Sequence, residues 1–159
     1  MLTILRQIGI SASFWLASAM NEKLSLCGIL STQVNDVWQF IKENIASALN
    51  YADDKYSVDD ILGFIRDKKM QLWVVIDQDF AIHASIVTQI VNYPRKKVML
   101  IVIVAGVKLN EWEHIIRNLV QYAKSHDCHS IEAFGRSGWE KKVKHLGFTK
   151  IHTYYKLPI

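Results

Sequence analysis

The chain is poor in the residues that break or staple a fold. Two prolines, Pro94 and Pro158, and seven glycines among 159 residues exclude collagen-like and linker-rich architectures. Two cysteines, Cys27 and Cys128, cannot make a disulfide framework, so a reducing compartment and small buried thiols are the expectation. The longest unbroken apolar run, Val98 to Val107, is too short to cross a bilayer as a helix, which argues against a transmembrane protein. There is no Gly-x-Ser-x-Gly and no Cys-His-Asn pattern, and no internal repeat or low-complexity tract. What remains is 50% apolar and 21% charged, enough to bury one core. The net charge of +4 points to anionic partners without naming one.

The first 22 residues read as an extension ahead of a domain spanning 23–159. Met1 to Ala19 is mostly apolar with one charge, Arg6, and ends in Ala17-Ser18-Ala19, similar to a signal-peptidase site. Two features argue against a signal: Arg6 interrupts the apolar stretch, and Met20-Asn21-Glu22-Lys23 resembles an ordinary start of translation.

From Leu24 the hydrophobic period spells out elements. Leu24 to Leu30 suits a strand; Ser31-Thr32 offers an N-cap to a helix striped by Val34, Val37, Trp38, Ile41, Ile45 and Leu49. Ser57 with Asp60 forms a capping box for a helix bearing Val58, Ile61, Leu62 and Ile65. Three strands follow: Gln71 to Ile76, a long one with Phe80, Ile82, Ala84, Ile86, Thr88 and Ile90 on one face, and Lys97 to Ala105. Turns at Asp77-Gln78-Asp79 and Asn92-Tyr93-Pro94-Arg95 make them an antiparallel meander. The last third alternates: a helix capped by Asn110 and Glu113, a strand Ser130 to Gly135, a short helix opened by Ser137-x-x-Glu140 and stopped by Gly147, and a final strand Phe148 to Leu157.

The order β-α-α-β-β-β-α-β-α-β, with Glu140-Lys141-Lys142-Val143-Lys144-His145-Leu146-Gly147-Phe148 at its end, resembles the GNAT acyltransferases over residues 24 to 157. The resemblance implies a mixed α/β domain with a mostly antiparallel central sheet flanked by four helices. Gly135-Arg136-x-Gly138-Trp139 is similar to small GNAT-like proteins of tailed bacteriophages, which implies a virion-associated or host-cytoplasmic setting and phage structural partners. The family holds the pyrophosphate of acetyl-CoA on the amides of a glycine-rich loop opening a helix. Here that stretch is Ala105-Gly106-Val107-Lys108-Leu109-Asn110-Glu111, with one glycine and an acid. If acetyl-CoA binds, Val104, Ala105, Gly106, Lys108 and Asn110 are the residues that would hold it. The slot of the family's catalytic tyrosine is Val143, and Arg136 replaces the asparagine that often opens the last helix.

Transfer of an acyl group to an amine needs a proton acceptor. His83, on the long strand, and Glu132, on the strand before the last helix, are the candidates. His126-Asp127-Cys128-His129 crowds its donors too closely for a tetrahedral site and reads as a polar loop, so no metal is assigned. From Arg136 onward six basic residues stand against one acid, Glu140; Arg136, Lys141, Lys142 and Lys144 are candidates for contacting nucleic acid.

The expectation is a GNAT-fold protein with weak or no acetyl transfer that acts as a binding component. The alternatives are an acyl-CoA N-acyltransferase with an atypical loop and a nucleic-acid-binding accessory protein. Because the periodic pattern begins only after Lys23, a chain shortened to start at Met20 should melt within a few degrees of the full chain. A large fall in melting temperature would place Phe14, Trp15 and Leu16 in the core.

Overall fold

The structure, a computed structural model, describes residues 23–52, 54–135 and 138–159. The extension 1–22 and the capping Ser137 lie outside them. Among the described residues five strands lie in sequence order across one sheet. They are β1 (Leu24–Ile29), β2 (Gln71–Asp77), β3 (Ile82–Asn92), β4 (Lys97–Gly106) and β5 (Ser130–Ala133). β1 to β4 are antiparallel neighbours, so the meander forms as the turns require, and β5 joins β4 in parallel.

One sheet face carries α1 (Val34–Leu49) and α2 (Val58–Arg66). All six residues of the α1 stripe are buried, against Cys27 and Ile29 of β1, Leu72, Val74 and Ile76 of β2, and Ile103 and Ala105 of β4. The opposite face carries α3, a helical run over 109–125 that packs Ile115, Ile116, Leu119 and Ala123 on Leu26, Trp73, Val75, Ala84, Ile86, Met99 and Ile101. Both faces of β2 and β3 are thus covered, which is why their central residues are uniformly buried. In β4, buried Met99, Ile101, Ile103 and Ala105 alternate with half-buried Leu100, Val102 and Val104, less than the full two-sided burial its β-branched run suggests. α4 (Trp139–Val143) runs into a 3₁₀ turn and ends at Gly147, whose φ of +96° suits glycine.

Several local expectations are corrected. Ser31-Thr32 do not cap α1; the cap position is Gln33, in helical conformation and without a side-chain capping bond to the helix, because a turn from Leu30 to Gln33 already feeds the helix. Ser57 and Asp60, by contrast, bond reciprocally as a capping box. Asn110 lies inside the first turn of α3, which starts at Leu109 after Lys108 turns left-handed at φ +54°. The single-face reading of the long strand fails at a bulge: His83 is skipped between the pairs Val75↔Ala84 and Ile76↔Ile82. Phe80 and Ile82 therefore pack toward α1 and α2, while Ala84 and Ile86 face α3. The expected strand Phe148 to Leu157 does not form; no ladder joins it to β5, and 149–159 are exposed.

Ser85 Oγ is fully buried and makes no hydrogen bond. A hydroxyl without a partner forfeits its hydration for nothing in return. Ser85→Ala should therefore leave stability unchanged or raise it by up to about 1 kcal/mol in denaturant unfolding. A loss above about 1 kcal/mol would mean the hydroxyl is bonded after all.

Candidate functional site

The sheet opens where β4 and β5 part. Their pairing runs from Val98↔Ser130 to Ile101↔Ala133, and β4 then continues to Gly106 with β3 as its ladder partner among the described residues. A second bulge marks the place: Val102 is skipped between Thr88↔Ile101 and Val87↔Ile103. A bulge adds twist and swings the strand away from a straight neighbour. Val102 and Val104 are half-buried along the resulting cleft, and Phe134 is 74% exposed where β5 leaves the sheet. Gly135 is needed there, since a Cβ would lie 2.9 Å from Trp139 Cβ. The ring of Trp139 is half-buried and α4 has no fully buried residue, so α4 covers this end only loosely.

At the mouth of the cleft stand the residues assigned to the cofactor loop. Val104 packs toward α3 and Ala105 toward α1. Gly106 has φ +154°, and a Cβ on it would meet His83 O at 2.7 Å, so the backbone is wedged against β3. The left-handed turn falls on Lys108, a conformation costly for a side chain with a Cβ. Lys108 Nζ reaches Glu111 Oε1 at 3.5 Å, and Glu111 N–H donates to Lys108 O at 2.9 Å. The helix then makes a single α turn, Leu109–Trp112, before tightening to 3₁₀ over Glu113–Asn118. Asn110 is exposed on that first turn.

His83 sits at the same end of the sheet. Its Nε2 lies 2.8 Å from Asp77 Oδ2, while Asp77 Oδ1 accepts from the N–H groups of Asp79 (2.9 Å) and Ala81 (3.0 Å). The hydrogen bond from His83, aided by those amides, holds the Asp77 carboxyl below its ordinary value against the opposing effect of burial. With Nε2–H donating to the carboxylate, Nδ1 is the nitrogen left to take a proton.

Glu132 is elsewhere. Lys96 Nζ (3.1 Å) and Ser130 Oγ (3.0 Å) both bond its Oε1, and the Lys96 bond in particular lowers its pKa. Glu132 pairs with Leu100 and Ala84 with Gly106, so six residues of β4 separate the two candidates. At about 3.3 Å per residue that is roughly 20 Å. The structure does not bring them into one acid–base pair.

The basic candidates Lys141, Lys142 and Lys144 are exposed on and just after α4, and Arg136 lies outside the described residues. Arg117 of α3 donates to His145 O at 2.7 Å, fixing α4 over this end. His126 stacks on Tyr122, with centroids 4.1 Å apart, and no group of three or more metal-ligating side chains converges among the described residues. Burial raises the Cys27 thiol to about 11, as suits a small core residue. Sequence reasoning missed a cavity of about 660 Å³ at the far end of the sheet, where Gln71, Trp73, Gln89 and Tyr122 meet. Its residues come from β1, α2, β2, β3 and α3 and the connections between them, and no local motif announces it.

No family model and no curated protein matches the chain. Solved structures do. An aminoglycoside acetyltransferase from an uncultured soil sample superposes with TM-score 0.64 at 9% identity, covering 87% of this chain and 99% of that one. A Trypanosoma brucei acetyltransferase gives 0.60 at 16%, covering 86% and 99%. Glucosamine-6-phosphate N-acetyltransferase from Arabidopsis thaliana gives 0.59 at 12%, also covering 86% and 99%. The fold is that of the GNAT acetyltransferases. At these identities the likeness carries the GNAT architecture alone.

The Asp77–His83 contact has a pH signature. A carboxylate whose folded pKa is depressed contributes stability above its unfolded pKa and loses it as pH falls through the folded one. Melting temperature should therefore fall less steeply for Asp77→Asn than for the natural chain on acidification through and below the carboxylate range. Parallel curves would show that the bond contributes nothing.

Proposed function

We propose that this is a GNAT-fold domain that keeps the parted strands of an acyltransferase but has lost the fixtures that hold and turn over acetyl-CoA, and serves as a binding component. The observation that carries this reading is the Lys108–Glu111 contact at the cleft mouth. The loop's cation faces a carboxylate of its own helix, so the place for a pyrophosphate carries no net positive charge. Glu111 complements the helix N-terminus itself and competes with an incoming anion. A single α turn ahead of 3₁₀ winding gives fewer aligned amides than a regular helix. The residues present do not fit the group. Val143, half-buried in α4, has no proton to give. Partners consistent with this reading are phage structural proteins, or nucleic acid at Lys141, Lys142 and Lys144.

A second reading, an acyl-CoA N-acyltransferase with an atypical loop, draws support from the parting of β4 and β5 and from His83 held by Asp77. Calorimetric titration separates the two. We expect acetyl-CoA to bind at about millimolar or weaker, near −4 kcal/mol. Micromolar binding would overturn the proposal, and thiol release in the presence of an amine would establish the enzyme. Binding to DNA that weakens steeply with salt would assign the basic surface to nucleic acid.

A further inference from the structure

The cavity of about 660 Å³ lies where β1 ends, β2 begins, β3 ends and α3 finishes, at the end of the sheet away from the cleft. His83 and Gln89 stand six residues apart on β3, so roughly 20 Å separates the cavity from the cleft mouth. Its volume falls within the range of small-molecule sites. Three rings step from its floor to the surface. Trp73, 3% exposed, meets Tyr122 edge-on with centroids 4.7 Å apart, and His126 lies on Tyr122 at 4.1 Å. Gly28, opposite Trp73 on β1, adds no side chain over the indole; a Cβ there would stand 3.1 Å from the ring.

A buried relay fixes the polarity of one wall. Trp73 Nε1–H can only donate, and it donates to Thr88 Oγ1 at 2.9 Å. Thr88 is fully buried, so its hydroxyl must give its own proton to a nearby acceptor, and Gln71 Oε1 is there at 3.3 Å. That sets the amide. Oε1 turns to Thr88, and Nε2, which has no hydrogen-bond partner among the described residues, is left to donate at the cavity. The rim adds charge of one sign: Lys68 and Lys69 line the cavity, and no carboxylate is among the described residues that do. Lys69 is shared with Asp67 at 3.7 Å, whereas Lys68 has no ion-pair partner among the described residues. Lys68 follows α2 at φ +60°, a position that glycine or asparagine fills at less cost. An ammonium and an amide donor, both without partners, thus border one aromatic floor.

We propose that this cavity binds a small aromatic anion, its flat body against Trp73 and Tyr122 and its carboxylate or phosphate on Gln71 Nε2 and Lys68. An anionic head accepts from both donors at once. A cation would meet Lys68 and Lys69 with no acid in the lining to offset them. A purely apolar guest would strip water from Gln71 Nε2 and return no acceptor. The site lies outside the cleft between β4 and β5, so it stands whichever reading of that cleft holds.

Calorimetric titration of the full chain with 1-naphthyl phosphate and with 1-naphthoate should give a Kd below about 1 mM for at least one of them. The tighter of the two identifies the head group. Neutral 1-naphthalenemethanol should bind at least about tenfold more weakly than that anion. In nitrogen-15 NMR spectra the Trp73 indole N–H and the amides of 28–31 and 71–73 should shift, while those of 104–111 stay in place. Gln71→Glu keeps an oxygen for Thr88 but turns the donor into a negative charge, so anion affinity should fall about tenfold or more. Lys68→Asn removes the ammonium yet accepts the left-handed backbone, and should weaken the anion about threefold or more with melting unchanged. A Kd above about 1 mM for both anions overturns the proposal, as does equal binding of the neutral analogue. Shifts confined to 104–111, or an affinity that survives both substitutions, place the anion elsewhere and overturn it as well.

Discussion

The arrangement depends on where β4 stops having two neighbours. Through Ile101 it is flanked by β3 and β5; past the bulge at Val102 its ladder partner among the described residues is β3. A residue inserted in a ladder turns the following side chains by half a period, and here it sets Val102 and Ile103 toward α1 while Ile101 and Val104 face α3. The chain thus keeps a hydrophobic core on both faces of a sheet that is also splitting. The cleft comes from the same irregularity that redistributes the core, so it could not be lost without repacking β4.

The parts of this design that were legible in the sequence are those governed by one period. The six apolar residues of α1 obey 3.6 without exception and all are buried. The Ser57–Asp60 box fixes its helix within four residues and formed as read. What the sequence did not disclose are departures from a period. Nothing in Phe80-Ala81-Ile82-His83-Ala84 says that His83 will be skipped, because alternation is preserved on paper and broken only by the partner strand's register. The same holds for Lys108: a lysine in the left-handed region is disfavoured locally, and the requirement comes from Gly106 being pressed against His83 O. The segment from Phe148 to Leu157 shows the converse case, an alternating pattern that forms no strand because it pairs with no neighbour in the sheet.

The electrostatics explain why two well-chosen candidates do not make a site. His83 and Glu132 are both bonded, but to different groups at different ends of β4. Asp77 already accepts three hydrogen bonds, two of them backbone, so its task includes closing the β2–β3 turn. Glu132 has Lys96 within 3.1 Å, which keeps it ionised and occupied. A general base must reach the proton it takes. Of the two, only His83 stands at the open end of the cleft, and its Nδ1 is the atom to follow if any transfer chemistry is detected.

The loose cover at α4 connects these points. Among the described residues, α1, α2 and α3 are each anchored by residues that vanish from the surface, whereas α4 has none, and Arg117 bonds His145 O in the turn that follows it. An element with little buried area opens at low cost. The cleft wall formed by β5 and α4 is therefore the compliant side of the molecule, and the α1–β4 side is the rigid one. The half-burial of Trp139, Val143 and Leu146 belongs to this compliant side, so the packing there is the part of the core that could rearrange without disturbing the α1–β4 contacts.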